Sequence, residues 1–288
     1  MTIEKQLNYY FELTRSDFKK STSDLNKNYI KKLLDAASHF NVTRLEDIDL
    51  ELGYKIRGYF KEKYNNKNTT INKHMNYLKR VMKHFKIYTD VLDLVNLKDD
   101  TTPFKRFYHE ELKVIIDYVK TMNYSENSVV YKTFVLFALD SGVRVSEALN
   151  ILIRNIDFEN NRIYLEVTKT GKARYAPFSN FSKNELIDLI KINPTRQYLF
   201  YNFLKDRPLS KNDIALFYKR TRKKLGISRL YTHRFRKTFG SMLAENGLPI
   251  EMLQSIYNHS RITTTIKYVQ YRESKALSEY AKYVDWKL

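Results

Sequence analysis

One short stretch constrains how this chain can fold. Lys98-Asp99-Asp100-Thr101-Thr102-Pro103 is polar, contains a proline and interrupts the apolar periodicity found on either side of it. Such a stretch predicts an interdomain linker, here over 98–106, rather than a buried element. The pieces it separates, 1–97 and 107–288, each have ordinary domain length. Two cores are therefore expected, not one.

The first piece reads as helical throughout. Ser23 is placed to cap a helix in which Leu25, Tyr29, Leu33, Ala37 and Phe40 recur at helical spacing. A second helix is predicted over 49–64. Asn68 is placed to cap a third, whose apolar face is Ile71, Met75, Leu78, Met82 and Phe85. Lys73, Asn76, Arg80 and Lys83 form a basic stripe on the opposite face. A stripe of that kind is more often a solvated surface than a binding one.

The second piece mixes periods. Helices are predicted over 109–121 and 128–140, the latter largely apolar and hence buried, with Gly142 ending it by adopting a positive φ. A short helix over 145–152 follows. Residues 156–158, 162–167 and 174–177 read as three antiparallel strands joined by turns at 159–161 and 168–172. Further helices are expected over 183–191, 210–225, 232–245, 249–257 and 272–283, with Gly226 and Gly247 stopping two of them. The fold class is mainly α with a small antiparallel β-sheet.

Composition narrows the function. The chain carries 51 Lys and Arg against 32 Asp and Glu, a formal charge of +19. A coding bias toward AT-rich codons would enrich Lys, Asn, Ile and Tyr, but would raise Glu as well; the imbalance points to a polyanion partner. There is no cysteine, which removes disulfides, thiolate nucleophiles and cysteine zinc sites. The six histidines form no H-E-x-x-H or similar cluster, so no metal and no cofactor is expected. No run of eighteen apolar residues and no basic-then-apolar start is present, so neither a membrane span nor a secretory signal is expected. A cytoplasmic location fits.

The chemistry is concentrated in the second half. His233-Arg234-Phe235-Arg236 is an H-x-x-R element, and His259 lies nine residues before Tyr268. Arg144 sits upstream in Ser141-Gly142-Val143-Arg144-Val145-Ser146-Glu147-Ala148-Leu149. Two guanidiniums, two imidazoles and a lysine can surround a phosphodiester with charge and proton donors, leaving a tyrosine to attack phosphorus. His233 and Arg236, one helical turn apart, can address one phosphate. Arg144 can alternatively form a structural ion pair with Glu147. Tyr268 is one of 23 tyrosines; Tyr231, Tyr257 and Tyr271 are the alternatives, with Tyr271 the nearest.

This pattern resembles the tyrosine recombinases, the phage-type integrase and Xer group, over about residues 107–272. The family's arginine box reads T-G-x-R-x-S-E, and its second box joins H-x-x-R to a later G-H-S…T-T…Y stretch. Here that stretch is Asn258-His259-Ser260-Arg261-Ile262-Thr263-Thr264-Thr265-Ile266-Lys267-Tyr268. Asn258 replaces the usual glycine, and asparagine also tolerates a left-handed backbone.

The resemblance implies a helical core-binding domain (1–97) and an α+β catalytic domain (107–288) that together clamp duplex DNA. The activity it implies is site-specific DNA recombination. Tyr268 would attack a phosphodiester, leaving a 3′-phosphotyrosyl enzyme and a free 5′-hydroxyl. Arg144 and Arg236 would hold the phosphate, with His233 and His259 assisting. Lys169 on the strand-joining hairpin would protonate the departing oxygen, with Lys172 as the alternative. Lys73, Arg80, Lys83, Lys172 and Arg174 are candidate DNA contacts.

It further implies a homotetramer on paired sites, with a monomer as the alternative for the free chain, assembled through an apolar tail carrying Leu277, Tyr280, Ala281, Val284 and Trp286. That tail can alternatively pack on its own domain. Little chain precedes the core-binding helices, so an additional arm-binding domain is not expected. A type IB topoisomerase-like nicking-closing enzyme and a non-catalytic DNA-binding regulator are the rival readings. The first reseals the same strand, and the second has no use for Arg144, His233, Arg236 and Tyr268 together.

Overall fold

The computed structural model describes residues 1–18, 20–100, 105–166, 173–192 and 194–268. Two units, 1–103 and 104–288, each pack around their own core.

Among the described residues, unit one contains four α-helices: α1 (Ile3–Thr14), α2 (Lys20–His39), α3 (Leu50–Tyr64) and α4 (Asn68–His84). Helix α1 goes beyond the three helices expected from sequence. Its signal is Ile3, Leu7 and Phe11, four residues apart and all buried. Helix α2 starts three residues before Ser23, whose hydroxyl donates to the Arg15 carbonyl rather than capping. Nor does Asn68 cap α4. Lys67 holds the cap position, and the Asn68 amide instead donates to the Lys98 carbonyl. Asp49 does cap α3, accepting from the Leu52 N–H at 2.7 Å. Leu7, Ile56, Phe60, Ile71, Met75 and Leu78 meet in the core. Lys73, Asn76, Arg80 and Lys83 remain on the exposed face of α4. Residues 97–100 follow α4 closely: Asn72 exchanges two bonds with Leu97, and Asp100 accepts from the Asn68 N–H.

Unit two is built on α6 (Glu126–Ser141), buried along nearly its whole length and packed by α5 (His109–Lys120), α8 (Asn180–Ile192) and α10 (Thr232–Glu245). Gly142 closes α6 at φ +60°, in the left-handed region that costs glycine least. Helix α7 (Val145–Ala148) is shorter than expected from sequence. The backbone at 151–153 pairs instead with 197–199, through Leu199 N–H to Ile151 O and Ile153 N–H to Gln197 O. That edge pairing satisfies groups a longer helix would have used.

The three strands form as expected: β1 (Ile156–Asp157), β2 (Arg162–Leu165) and β3 (Arg174–Pro177), antiparallel in that order. Register pairs Ile163 with Ala176 and Leu165 with Arg174. A second small sheet, β4 (Tyr201–Asn202) with β5 (Arg207–Pro208), was not expected. Helices α9 (Lys211–Leu225), α10, α11 (Ile250–Tyr257) and α12 (Ile262–Ile266) complete the described chain. No described helix is long and apolar enough to cross a membrane.

Candidate functional site

Four segments carry the site, and each is set by a local backbone device. The turn at Gly142 leads through buried Val143 to Arg144, which occupies the extended N-cap position of α7. From there the Glu147 carboxylate reaches back. One oxygen accepts from the Arg144 backbone N–H at 2.9 Å and the other from the Arg144 guanidinium at 2.6 Å. The ion pair weighed from sequence therefore exists, yet it coexists with an exposed edge: the Arg144 side chain keeps 21 % of its surface, against none for Glu147.

Arg236 arrives from the middle of α10 and is 1 % exposed. Its guanidinium donates to the Gly142 carbonyl at 2.7 Å, to the Tyr257 carbonyl at 3.3 Å and toward His259 Nε2 at 3.2 Å, and lies 3.8 Å from the Tyr257 ring centre. Burial lowers its pKa to about 10, and the positive charge of Arg144 pushes the same way. The Arg236 guanidinium thus bonds the backbone two residues before Arg144, near enough for the charge of Arg144 to be felt there. A pair of like charges held together in a poorly hydrated place attracts an anion strongly.

Asn258 ends α11 at φ 49°, ψ 51°, the left-handed conformation expected of it in place of glycine. That turn aims His259 back at Arg236. Burial, then the charges of Arg236, Arg144 and Arg174, lower the His259 pKa to about 4, so the ring is neutral at ordinary pH. Because arginine can only donate, Nε2 is the acceptor here. Nδ1 then carries the proton and donates to the Thr265 hydroxyl, 2.9 Å away.

Tyr268 follows α12, its N–H donating to the Thr265 carbonyl at 2.9 Å. It is 5 % exposed. Its ring lies 5.0 Å from Tyr257 and 6.1 Å from His259, nearly parallel to the latter. Gly240 on α10 makes room for it: a Cβ there would sit 2.6 Å from Tyr268 Cδ1 and 2.6 Å from the Tyr257 hydroxyl. Tyr257 is itself buried, with its hydroxyl donating to the Arg236 carbonyl, and burial raises its pKa despite the adjacent Arg236.

His233 is exposed in the first turn of α10. It lines a cavity of about 460 Å³ with Val145, Lys211, Lys219, Arg222 and Tyr231, beside the residue that follows Arg144. Arg144, Arg236, His259 and Tyr268 are therefore gathered in one place, with His233 on the adjoining surface. Lys169 and Lys172 lie outside the described residues, as do Tyr271 and the apolar tail.

Arg174 differs from its sequence expectation as a DNA contact. Strand alternation turns it to the core side with Ala176, and its side chain is 5 % exposed against Glu147. The period-2 pattern of 174–177 was its available signal; Tyr175, its neighbour, faces outward. Thr265 had no such signal, because its role depends on α12 folding over His259. No group of three or more His, Asp or Glu is placed to hold a metal among the described residues.

Residues 105–275 match the phage integrase family. Over 288 residues, all of both chains, the sequence is 51 % identical to a probable integrase/recombinase of Acholeplasma phage L2. The fold is similar to the Tn1549 transposon integrase in complex with circular intermediate DNA. That similarity has TM-score 0.81 at 20 % identity, over 99 % of this chain and 100 % of the other. It is also similar to lambda integrase, solved as a tetramer bound to a Holliday junction, with TM-score 0.72 at 17 % identity over 91 % and 79 %.

Proposed function

This chain belongs to the phage integrase family and is a site-specific tyrosine recombinase, and from that premise we propose how its own residues break and rejoin DNA. Arg144 and Arg236 grip the non-bridging oxygens of a scissile phosphate, where planar guanidiniums suit two oxygens at once. Tyr268 Oη attacks phosphorus, forming a 3′-phosphotyrosyl bond as the bond to the 5′ oxygen breaks. The hairpin lysine, Lys169 or failing it Lys172, gives that oxygen its proton. His233 takes the phenol proton or bonds a phosphate oxygen. In the second step a 5′-hydroxyl from the partner strand attacks phosphorus and Tyr268 departs. The covalent link conserves the phosphodiester's energy, so resealing needs no nucleotide.

His259 fits this scheme with one adjustment. Donation from Nε2 to phosphate requires the proton on Nε2, with Nδ1 then accepting from the Thr265 hydroxyl, a role that hydroxyl can take equally well. The basic face of α4 contacts DNA backbone phosphates through Lys73, Arg80 and Lys83. Double-stranded DNA is the substrate, and four copies act on two sites, in keeping with the tetrameric lambda integrase assembly. The observation that carries the reading is the convergence on Arg236 of the Gly142 turn that leads to Arg144, the His259 ring and, stacked on that ring, Tyr268.

The test is covalent capture. DNA bound by the protein is selected from a random pool, and a nicked duplex carrying the selected site is incubated with it. A denaturant-stable protein–DNA adduct is expected. Tyr268→Phe should abolish the adduct while retaining binding. An adduct that persists in that variant transfers the nucleophile to another tyrosine, Tyr271 first; no adduct from the unaltered chain refutes strand transfer.

A further inference from the structure

Arg174 is the third guanidinium of the site. It opens β3, two residues after Lys172 in the sequence. One terminal nitrogen donates to Glu147 at 2.7 Å; the other donates to the Ile256 carbonyl at 2.7 Å and the Tyr175 carbonyl at 3.2 Å. Arg174 thus ties three segments together: β3, the α7 turn of Arg144, and the end of α11 that leads to His259.

We infer that Arg174 is a positioning residue that keeps Arg144 available to the phosphate by sharing the Glu147 carboxylate. This rests on the strand-transfer reading above. Glu147 is completely buried and reaches no solvent. If Arg144 were its sole cation, the attraction between the two would compete directly with phosphate for the Arg144 donors. Arg174 takes one carboxylate oxygen and supplies a full compensating charge. Arg144 then needs only one terminal nitrogen for Glu147 and holds its exposed edge outward. The bond to Ile256 fixes Arg174 itself, so the carboxylate is held from behind. A direct DNA contact is a different role, and a 5 % exposed side chain already committed to Glu147 is poorly placed for it.

The experiment measures single-turnover adduct formation on the nicked duplex for Arg174→Gln, Arg174→Lys, Glu147→Gln and the double variant Arg174→Gln/Glu147→Gln. Binding affinity, its salt dependence and thermal melting are measured in parallel. Removing Arg174 should slow adduct formation by about tenfold to a hundredfold, less than the ~10²–10³ expected from losing a direct transition-state donor. Affinity and salt slope should hold. Arg174→Lys should recover part of the rate, since it keeps the charge but cannot bridge two partners.

The deciding result is the cycle: once Glu147 is neutral, Arg174→Gln should cost no more than about threefold, because residues acting through one another are non-additive. Additive losses overturn the inference. So does a salt slope lowered by about 0.9, the mark of a direct phosphate contact. Rates at the unaltered level, or failure of both single Arg174 variants to melt cooperatively, overturn it too. Absence of an adduct from the unaltered chain instead refutes the strand-transfer reading, and this inference with it.

Discussion

Arg144, Arg174 and Arg236 bring three positive charges to the corner around the Glu147 carboxylate. Burial works to raise the Glu147 pKa, but Arg174 and Arg144 outweigh it and hold the group below the ordinary carboxylate range. Burial, reinforced by the cations already in this corner, depresses the pKa of His259 to about 4. The sign of the linkage follows. The folded state resists protonating His259, so its stability is complete above pH 6.5, the ordinary histidine value, and is lost as pH falls toward 4. The DNA-free protein should therefore melt at progressively lower temperature between those limits, and His259→Gln should flatten the decline. Comparison with that variant separates His259 from His74, which burial depresses in the same direction. Gly240 gives a steric prediction. Gly240→Ala places a methyl group 2.6 Å from both Tyr268 Cδ1 and the Tyr257 hydroxyl, so adduct formation should drop at least about tenfold, as expected when a reacting group is misplaced. DNA affinity should change little.

Helix α9 shows how one carboxylate can organise an element. Asp213 accepts from the Ser210 hydroxyl and backbone N–H, and its N–H donates back to Ser210 Oγ at 3.2 Å, a reciprocal cap. Arg207 and Lys205 also donate to it. Burial opposes the Asp213 charge, but these partners prevail and hold its pKa well below the ordinary value. Ser210→Ala should cost about 1 kcal/mol in denaturant titration. Asp213→Asn should cost more, and should remove part of the stability that the unaltered chain loses on acidification below pH 3.8. On α4 the prediction concerns binding. If Lys73, Arg80 and Lys83 each neutralise a phosphate, changing all three to Gln should reduce the slope of log affinity against log salt by about 2.7, that is 0.9 for each contact.

Element boundaries were legible wherever a local cause set them. Gly142 and Asn258 both take the left-handed turn expected from their residue types. Ser23 and Asn68 do not cap, because the arrangement of α1 with α2 and of 97–100 with α4 gives those side chains other partners.

Each of the two units has its own hydrophobic core, one around Phe60, Ile71 and Leu78 and the other around Phe134, Phe137 and Phe235. Residues 1–100 expressed alone should therefore unfold in a single cooperative urea transition; a broad, featureless loss of helix would contradict this. A charge of +19 gives the whole chain a field that favours polyanions before any particular contact is made.

By itself the sequence determined the helical classes and the three-strand sheet, and it offered Arg144, His233, Arg236, His259 and Tyr268 as candidates for the site. These follow from periodicity, turn-forming residues and short spacings, all properties of neighbouring positions. Only the tertiary structure decided that Arg174 works inside the protein against Glu147, that Thr265 holds His259, and that Gly240 yields its space to Tyr268. Those pairings join residues far apart in the chain, and a buried charge or a missing methyl group acquires meaning only from the atoms that folding places beside it.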